Sequence, residues 1–328
     1  MLNQDGGHKS RSPVLQIELL RHLIETRSLV AILKNIDAIN LHKQTLKMGE
    51  FCRSFQMPNE YFSWFHGGSL VPKNTIKQTL DRIGYKNKTF EIAYDTGFCR
   101  MSNINSLVFV DIGSKSNTSN DSKASLFAFE FFYHKQKIIS NLGEFTNSSL
   151  RHAKNSLASS AAHSTLNIDD RNNIDLLGKR KTKVLNIKYD KIENGNLLDI
   201  MHSGYEEIYG VHHRRQIFLS QKKSELRGRD EIINIENIGA IPKSANIRFH
   251  VSPEIDLIKT RSGSLLLNHK KGFTWKFSVK NYTIFTQDSM MFTSKGPLKC
   301  KQIIVNVKLE KIRAYKNISC DWSFVLQK

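Results

Sequence analysis

The sequence predicts a mainly β protein, a large antiparallel two-sheet β-sandwich preceded by a short α-helical segment. Three observations carry that prediction. Apolar residues follow a helical spacing through the first 85 residues or so, then alternate in period two from Phe90 onward. Beyond Phe90, short strand-like runs recur between turn signals such as Glu193-Asn194-Gly195-Asn196 and Arg261-Ser262-Gly263-Ser264. No internal repeat of the kind that marks a β-helix or a propeller is found.

Taken in order, Ser12-Pro13 sets a capping hydroxyl before a proline at the first helical position. Ile17, Leu20, Ile24 and Ala31 then mark the apolar face of a helix over 14–33. A second helix is predicted over 36–57, ended by Pro58; 61–68 reads as a short strand running into Gly67-Gly68; and a last helix covers 74–83. The domains are therefore placed at 1–88 (helical) and 89–328 (β). Two or three helices bury too little surface to stand alone, so they must pack on the β-domain or on helices outside this chain. In the β-domain, strands are expected over 98–102, 106–111, 126–133, 137–140, 165–168, 184–189, 198–205 and 211–220. Further strands are expected over 225–235, 246–250, 255–260, 264–268, 274–279, 283–286, 301–309 and 319–326, with a polar loop over 114–122.

Composition narrows the function classes. With 39% hydrophobic and 24% charged residues in 328, the chain can build a substantial core, which excludes a disordered protein. A net charge of +19 favours a polyanionic partner: an acidic polysaccharide, nucleic acid or an anionic membrane surface. A chain rich in Lys, Asn and Ile would carry the same charge by compositional bias, and both readings stay open. No RNP, KH, zinc-finger or helix-turn-helix pattern is present, so nucleic acid is not the expected partner. Cys52, Cys99, Cys300 and Cys320 lack metal-site spacing and read as buried free thiols; no cofactor is expected. No run nears the ~20 apolar residues of a transmembrane helix, and no export signal is visible at the N-terminus.

Several stretches resemble one family. These are Asp5-Gly6-Gly7-His8-Lys9-Ser10-Arg11-Ser12-Pro13, Ala161-Ala162-His163-Ser164-Thr165-Leu166, Gly204-Tyr205 with Val211-His212-His213-Arg214-Arg215-Gln216, Leu226-Arg227-Gly228-Arg229-Asp230, and Arg248-Phe249-His250-Val251-Ser252-Pro253. In series, and over nearly the whole chain, they are similar to the heparinase II/III-like polysaccharide lyases, in particular the proteobacterial members. The resemblance implies that the helical segment is a remnant of an α/α-toroid, with a helical chain or domain upstream as a partner. It also implies an anionic polysaccharide as ligand and the cell envelope or periplasm as location, with the cytoplasm as the alternative.

Family enzymes cleave uronic-acid polysaccharides by β-elimination. A base removes the proton next to the sugar carboxylate, an acid protonates the leaving oxygen, and the carboxylate is neutralised beforehand. Where the family carries a Tyr-His pair, this chain has Leu15 and Gln16; where it carries His-x-His-Ala, it has Asp121-Ser122-Lys123-Ala124. The family's metal carboxylate corresponds to Asn141, and of its metal ligands His163 alone remains, so Lys123, Asn141 and His163 outline a vestigial metal site that holds no metal. Lys123 is expected to put an ammonium where the metal's charge would sit. His8 and Arg11 read either as a substrate-facing pair at a helix N-terminus or as a local cap and a solvated charge. His163 reads as a ligand or as a core histidine. Alternation puts His212 and Arg214 on one sheet face and His213 and Arg215 on the other, as a carboxylate-gripping surface or an ordinary strand. Tyr205 and Tyr209 are nearby phenols that could donate a proton.

The reading is thus a heparinase II/III-like family protein that cleaves a uronic-acid polysaccharide by β-elimination. The alternative is an inactive glycan-binding or structural remnant of that family.

Overall fold

The strand Ser106–Asp111 is buried at all six positions, although alternating strands usually expose one face. The reason lies in two cores. Val108 and Val110 join a cluster between two sheets, whereas Leu107 and Phe109 join a second cluster on the other face, together with Ile17, Leu20, Phe51 and Phe55 from the helices. The helical segment is therefore seated on the outside of the sandwich and shares an apolar core with it.

The computed structural model describes residues 2–32, 38–83, 89–113, 123–144, 151–236 and 238–327. Its helices are α1 (Pro13–Ile32), α2 (Ala38–Ser54), α3 (Lys73–Asp81), α4 (Arg151–Ala158) and the single turn α5 (Glu206–Tyr209). The strands begin with β1 (Ile92–Ala93), β2 (Phe98–Ser102), β3 (Ser106–Asp111), β4 (Phe129–Tyr133), β5 (Gln136–Ser140) and β6 (Leu166–Ile168). They continue with β7 (Val184–Ile192), β8 (Gly195–Tyr205), β9 (Val211–Ser220), β10 (Glu225–Asn234), β11 (Ser244–Val251) and β12 (Ile255–Lys259). The last are β13 (Leu265–His269), β14 (Phe273–Val279), β15 (Ile284–Thr293), β16 (Gly296–Lys308) and β17 (Asn317–Leu326).

One sheet has nine strands in the order β1-β2-β3-β4-β5-β11-β16-β15, with β6 pairing β11 from the side. The other has eight, in the order β12-β13-β14-β17-β10-β9-β8-β7. Strand β11 pairs antiparallel with β16 while β10 pairs antiparallel with β17, so chain segments distant in sequence close both sheets. Phe129, Phe249 and Trp322 meet between the sheets, with Phe129 stacked on Trp322 at 5.5 Å. This is the predicted two-sheet antiparallel sandwich with a short helical segment. The expected domain limit, between 88 and 89, falls where the described residues resume after 84–88, and the expected loop over 114–122 lies outside the described residues.

Besides helices α4 and α5, which the sequence reading did not include, two local elements differ from it. The run over 61–68 is no strand into a turn: its second half coils into a 3-10 helix, Phe65–Leu70, with His66 (φ 45°) and Gly67 (φ 89°) in the left-handed region. Gly68 makes this possible, because a Cβ there would lie 1.9 Å from the Ser63 carbonyl oxygen. Strand β15 runs well past the four residues predicted for it. It is an edge strand, and exposed polar residues such as Gln287 and Asp288 hide its apolar alternation.

Candidate functional site

The seam between helical segment and sandwich is built around Asp111, the carboxylate that ends β3 and is wholly buried. Arg11 reaches it from just ahead of α1. Its Nη2 pairs with Asp111 Oδ1, while Nε and Nη2 donate to the carbonyls of Thr96 (2.8 Å) and Gly97 (3.0 Å). Ser125 Oγ donates to Asp111 Oδ2 at 2.6 Å, and His66 Nε2 lies 3.3 Å from the same oxygen. Burial alone would raise the Asp111 pKa; Arg11, His66 and Ser125 outweigh it and hold the carboxyl well below the usual range. His66 is itself pushed down by burial and by Arg11, so it stays neutral and donates its Nε2 proton.

Next to this knot lies the neighbourhood where the family resemblance places a metal. Lys123 Nζ pairs with Glu144 Oε1 at 3.0 Å, both side chains being mostly buried. Asn141 Oδ1 accepts from the Ser164 amide at 3.0 Å, which sets Asn141 beside His163. Neither ring nitrogen of His163, nor Asn141 Nδ2, has a hydrogen-bond partner among the described residues. Burial holds His163 well below the ordinary imidazole value; Lys123, His66 and His250 push it the same way, and Asp111 opposes them. The structure thus brings Lys123, Asn141 and His163 together. They do not fit a metal: among the described residues no three His, Cys, Asp or Glu side chains could hold one, and a buried ammonium repels a cation. Asp121 and Ser122, the other half of that motif, lie outside the described residues.

The remaining sequence candidates on β8 and β9 are all engaged within the protein. Arg215, His213, His202 and Asp230 form a fully buried network between the sheets. Arg215 grips Asp230 through Nε (2.7 Å) and Nη2 (3.0 Å), and its Nη1 donates to the carbonyls of Phe127 and Ser164. The Gly204 amide donates to His202 Nδ1, so His202 Nε2 carries the proton and donates to His213 Nδ1 at 3.1 Å. His213 Nε2 in turn donates to Asp230 Oδ1 at 2.7 Å, and Trp322 Nε1 donates to Oδ2 at 2.8 Å. Both histidines are neutral in this relay, as the lowering of their pKa values by burial requires. On the opposite face, Arg214 is paired with Asp199 and Glu231, and His212 with Glu206 at 2.6 Å. The predicted alternation of these four residues is seen, and each of them already meets a carboxylate of this chain. Tyr205 is buried and donates to the Leu166 carbonyl at 3.2 Å.

Near the N-terminus, Gln16 is buried and holds structure together: Nε2 donates to the Gly6 and Met48 carbonyls, and Oε1 accepts from the His8 amide. Leu15 faces solvent. His8 is partly exposed, its Nδ1 2.7 Å from Ser10 Oγ, and burial lowers its pKa. Sequence reasoning missed Asp111, His66 and Glu144. A carboxylate closing the apolar run Leu107-Val108-Phe109-Val110 was the available signal, since a buried strand that ends in an acid demands a cation.

Two antiparallel sheets with helices seated on the outer face of one therefore define the class of the chain, a two-sheet β-sandwich with a helical cover. The same architecture occurs in the heparan sulfate lyase HepC from Pedobacter heparinus (TM-score 0.79, 12% identity, 100% of this chain and 54% of that one). It occurs also in a structure of heparinase III (TM-score 0.75, 16% identity, 99% and 55%). The chain belongs to the heparinase II/III-like family, whose C-terminal model matches residues 86–323. It is also 25% identical over 299 residues to FtsZ-localized protein C of Caulobacter vibrioides, covering 84% of this chain and 50% of that protein. The chain spans about half the length of these relatives.

Proposed function

We propose that this chain is the sandwich part of a heparinase II/III-like protein that binds a uronic-acid-containing polysaccharide and does not itself supply the eliminating base. The observation that carries the reading is the Lys123–Glu144 pair beside His163 and Asn141. It puts a neutralised ion pair where the family resemblance asks for a base and a metal. A chain with a net charge of +19 nevertheless attracts acidic glycan over long range. The test is calorimetric titration with a panel of uronic-acid polysaccharides, with unsaturated-product absorbance followed in the same samples. Salt-dependent binding without product supports the reading. Product formation would replace it with an active lyase, and salt-dependent binding to DNA but to no acidic glycan would remove glycans altogether.

A second reading has its own support. The Caulobacter relative is named for its localisation with FtsZ, and 84% of this chain aligns with it. A non-catalytic assembly role beside FtsZ would use the sandwich as a scaffold. A fluorescent fusion that follows the division site, with no polysaccharide bound by the purified chain, would favour this role.

A further inference from the structure

We propose that a cavity at the rim of the sandwich, walled by Arg100, Tyr189, Lys191, Asn196 and Gln221, is a subsite for one carboxylated sugar unit. The sugar's identity rests on the polysaccharide reading above. The cavity is a separate feature from the Asp111 seam, with a volume of about 290 Å³. That is the lower end of the range for small-molecule sites, about 300 Å³, and suits a single ring better than a length of chain.

Arg100 is the reason to expect an anion. It projects from β2 on the helix side, where Nη1 donates to the carbonyls of Ser54 (3.2 Å) and Gln56 (3.3 Å) at the end of α2. Those bonds fix the guanidinium plane, while Nε and Nη2 have no protein partner among the described residues. No carboxylate pairs with Arg100 there either, in contrast to the buried Arg215, which holds Asp230 in both hands of its fork. Burial lowers its pKa to about 10, and Glu91, the one carboxylate lining the same cavity, is paired with Lys191 instead. A sequestered guanidinium with a free edge matches a carboxylate bidentately.

The other walls suit a sugar. Asn196 Nδ2 and Gln221 Nε2 both donate to the Ser102 carbonyl (3.3 and 2.9 Å), which fixes the two amides and leaves their oxygens to accept from hydroxyls. Tyr189 contributes an aromatic wall. Lys191 meets Glu91 at 2.5 Å, both being more than half exposed, so the pair is weakly held and screened by solvent. With Glu91 cancelling Lys191, the net charge lining the cavity is that of Arg100, appropriate to a monoanion.

The experiment titrates the isotope-labelled full chain with glucuronate, glucose and acetate by NMR, with calorimetric titration of a uronic-acid polysaccharide in parallel. Glucuronate should shift the backbone signals of Tyr189, Lys191, Asn196 and Gln221, and glucose should leave them in place. Arg100→Gln should weaken glucuronate about tenfold or more, as loss of a bidentate contact implies. Since Arg100 also anchors α2, Tyr189→Ala is the second variant and should weaken glucuronate without unfolding the chain. Unmoved signals with glucuronate while the polysaccharide still binds would overturn the subsite and leave the polysaccharide reading intact. Equal shifts with acetate and glucuronate would reduce it to a bare anion site and overturn the sugar. Glucuronate shifts with no polysaccharide binding would keep the subsite and remove the broader reading.

Discussion

Arg11 and Asp111 stand 100 residues apart in sequence and meet as an ion pair across the seam between the helical segment and the nine-stranded sheet. The carboxylate is wholly buried and the guanidinium nearly so. Replacing Arg11 with Met leaves Asp111 charged and short of its main partner. Loss of one member of a buried pair costs about 3–5 kcal/mol. Urea unfolding of Arg11→Met should show a loss of that order, with Arg11→Lys recovering part of it. An unchanged midpoint would mean that the apolar core alone holds the seam.

The buried histidines and aspartates make stability fall in acid in two stages. His163, His202 and His250 have folded pKa values below the unfolded 6.5, that of His250 being about 3. Below pH 6.5 the unfolded chain therefore binds protons that the folded chain refuses, and stability drops as pH falls. Asp111 and Asp230 are likewise held below their unfolded values, so their contribution is full above about pH 4 and is lost below it. Thermal melts from pH 8 to pH 3 should decline first below about pH 6.5 and more steeply below about pH 4. A flat profile from pH 7 to pH 5 would contradict the neutral, buried state of the histidines.

Lys123→Ala should destabilise the chain by about 1–3 kcal/mol, because Glu144 would be left mostly buried without its partner. The same change should raise the His163 pKa, since Lys123 is among the groups that depress it. Histidine NMR reads the second effect independently of the first.

Gly228→Ala tests the packing between the sheets. A Cβ at Gly228 would sit 2.0 Å from Trp322 Cζ2, and Trp322 also donates to Asp230. Overpacking costs about 1–3 kcal/mol, and moving this indole also loosens its bond to a buried carboxylate. Near-ultraviolet circular dichroism should register the displaced Trp322. A wild-type spectrum and melting temperature would show that a methyl group fits at Gly228 without moving Trp322.

The sandwich was legible because its strands alternate. Val211–Ser220, for instance, is observed with the limits that its pattern predicts. The helices were legible from Pro13, Pro58 and the spacing of Ile17, Leu20 and Ile24. What period and propensity could not show was pairing at long range. Nothing local to Arg11 says that its partner is Asp111, nor to Arg215 that Asp230 waits on the neighbouring strand. Helix α4 escaped as well, because Arg151–Ala158 is polar and short, with little apolar face to read. At the candidate site, His163, Lys123 and Asn141 were found through resemblance, and their pairing with Glu144 and Ser164 only through the fold.

The strand Ser106–Asp111, buried on both faces, carries a consequence for biosynthesis. Leu107 and Phe109 are roofed by Phe51 and Phe55, which leave the ribosome earlier than the strand they cover. The helices must therefore wait, unsatisfied, until β2, β3 and β4 have emerged to receive them. A β-domain expressed from residue 89 would have the converse difficulty: Phe98, Leu107, Phe109 and Phe132 would form an uncovered aromatic and aliphatic floor. Such a truncation should be sticky and poorly soluble, because the helical segment is the cover that keeps this face of the sheet from water.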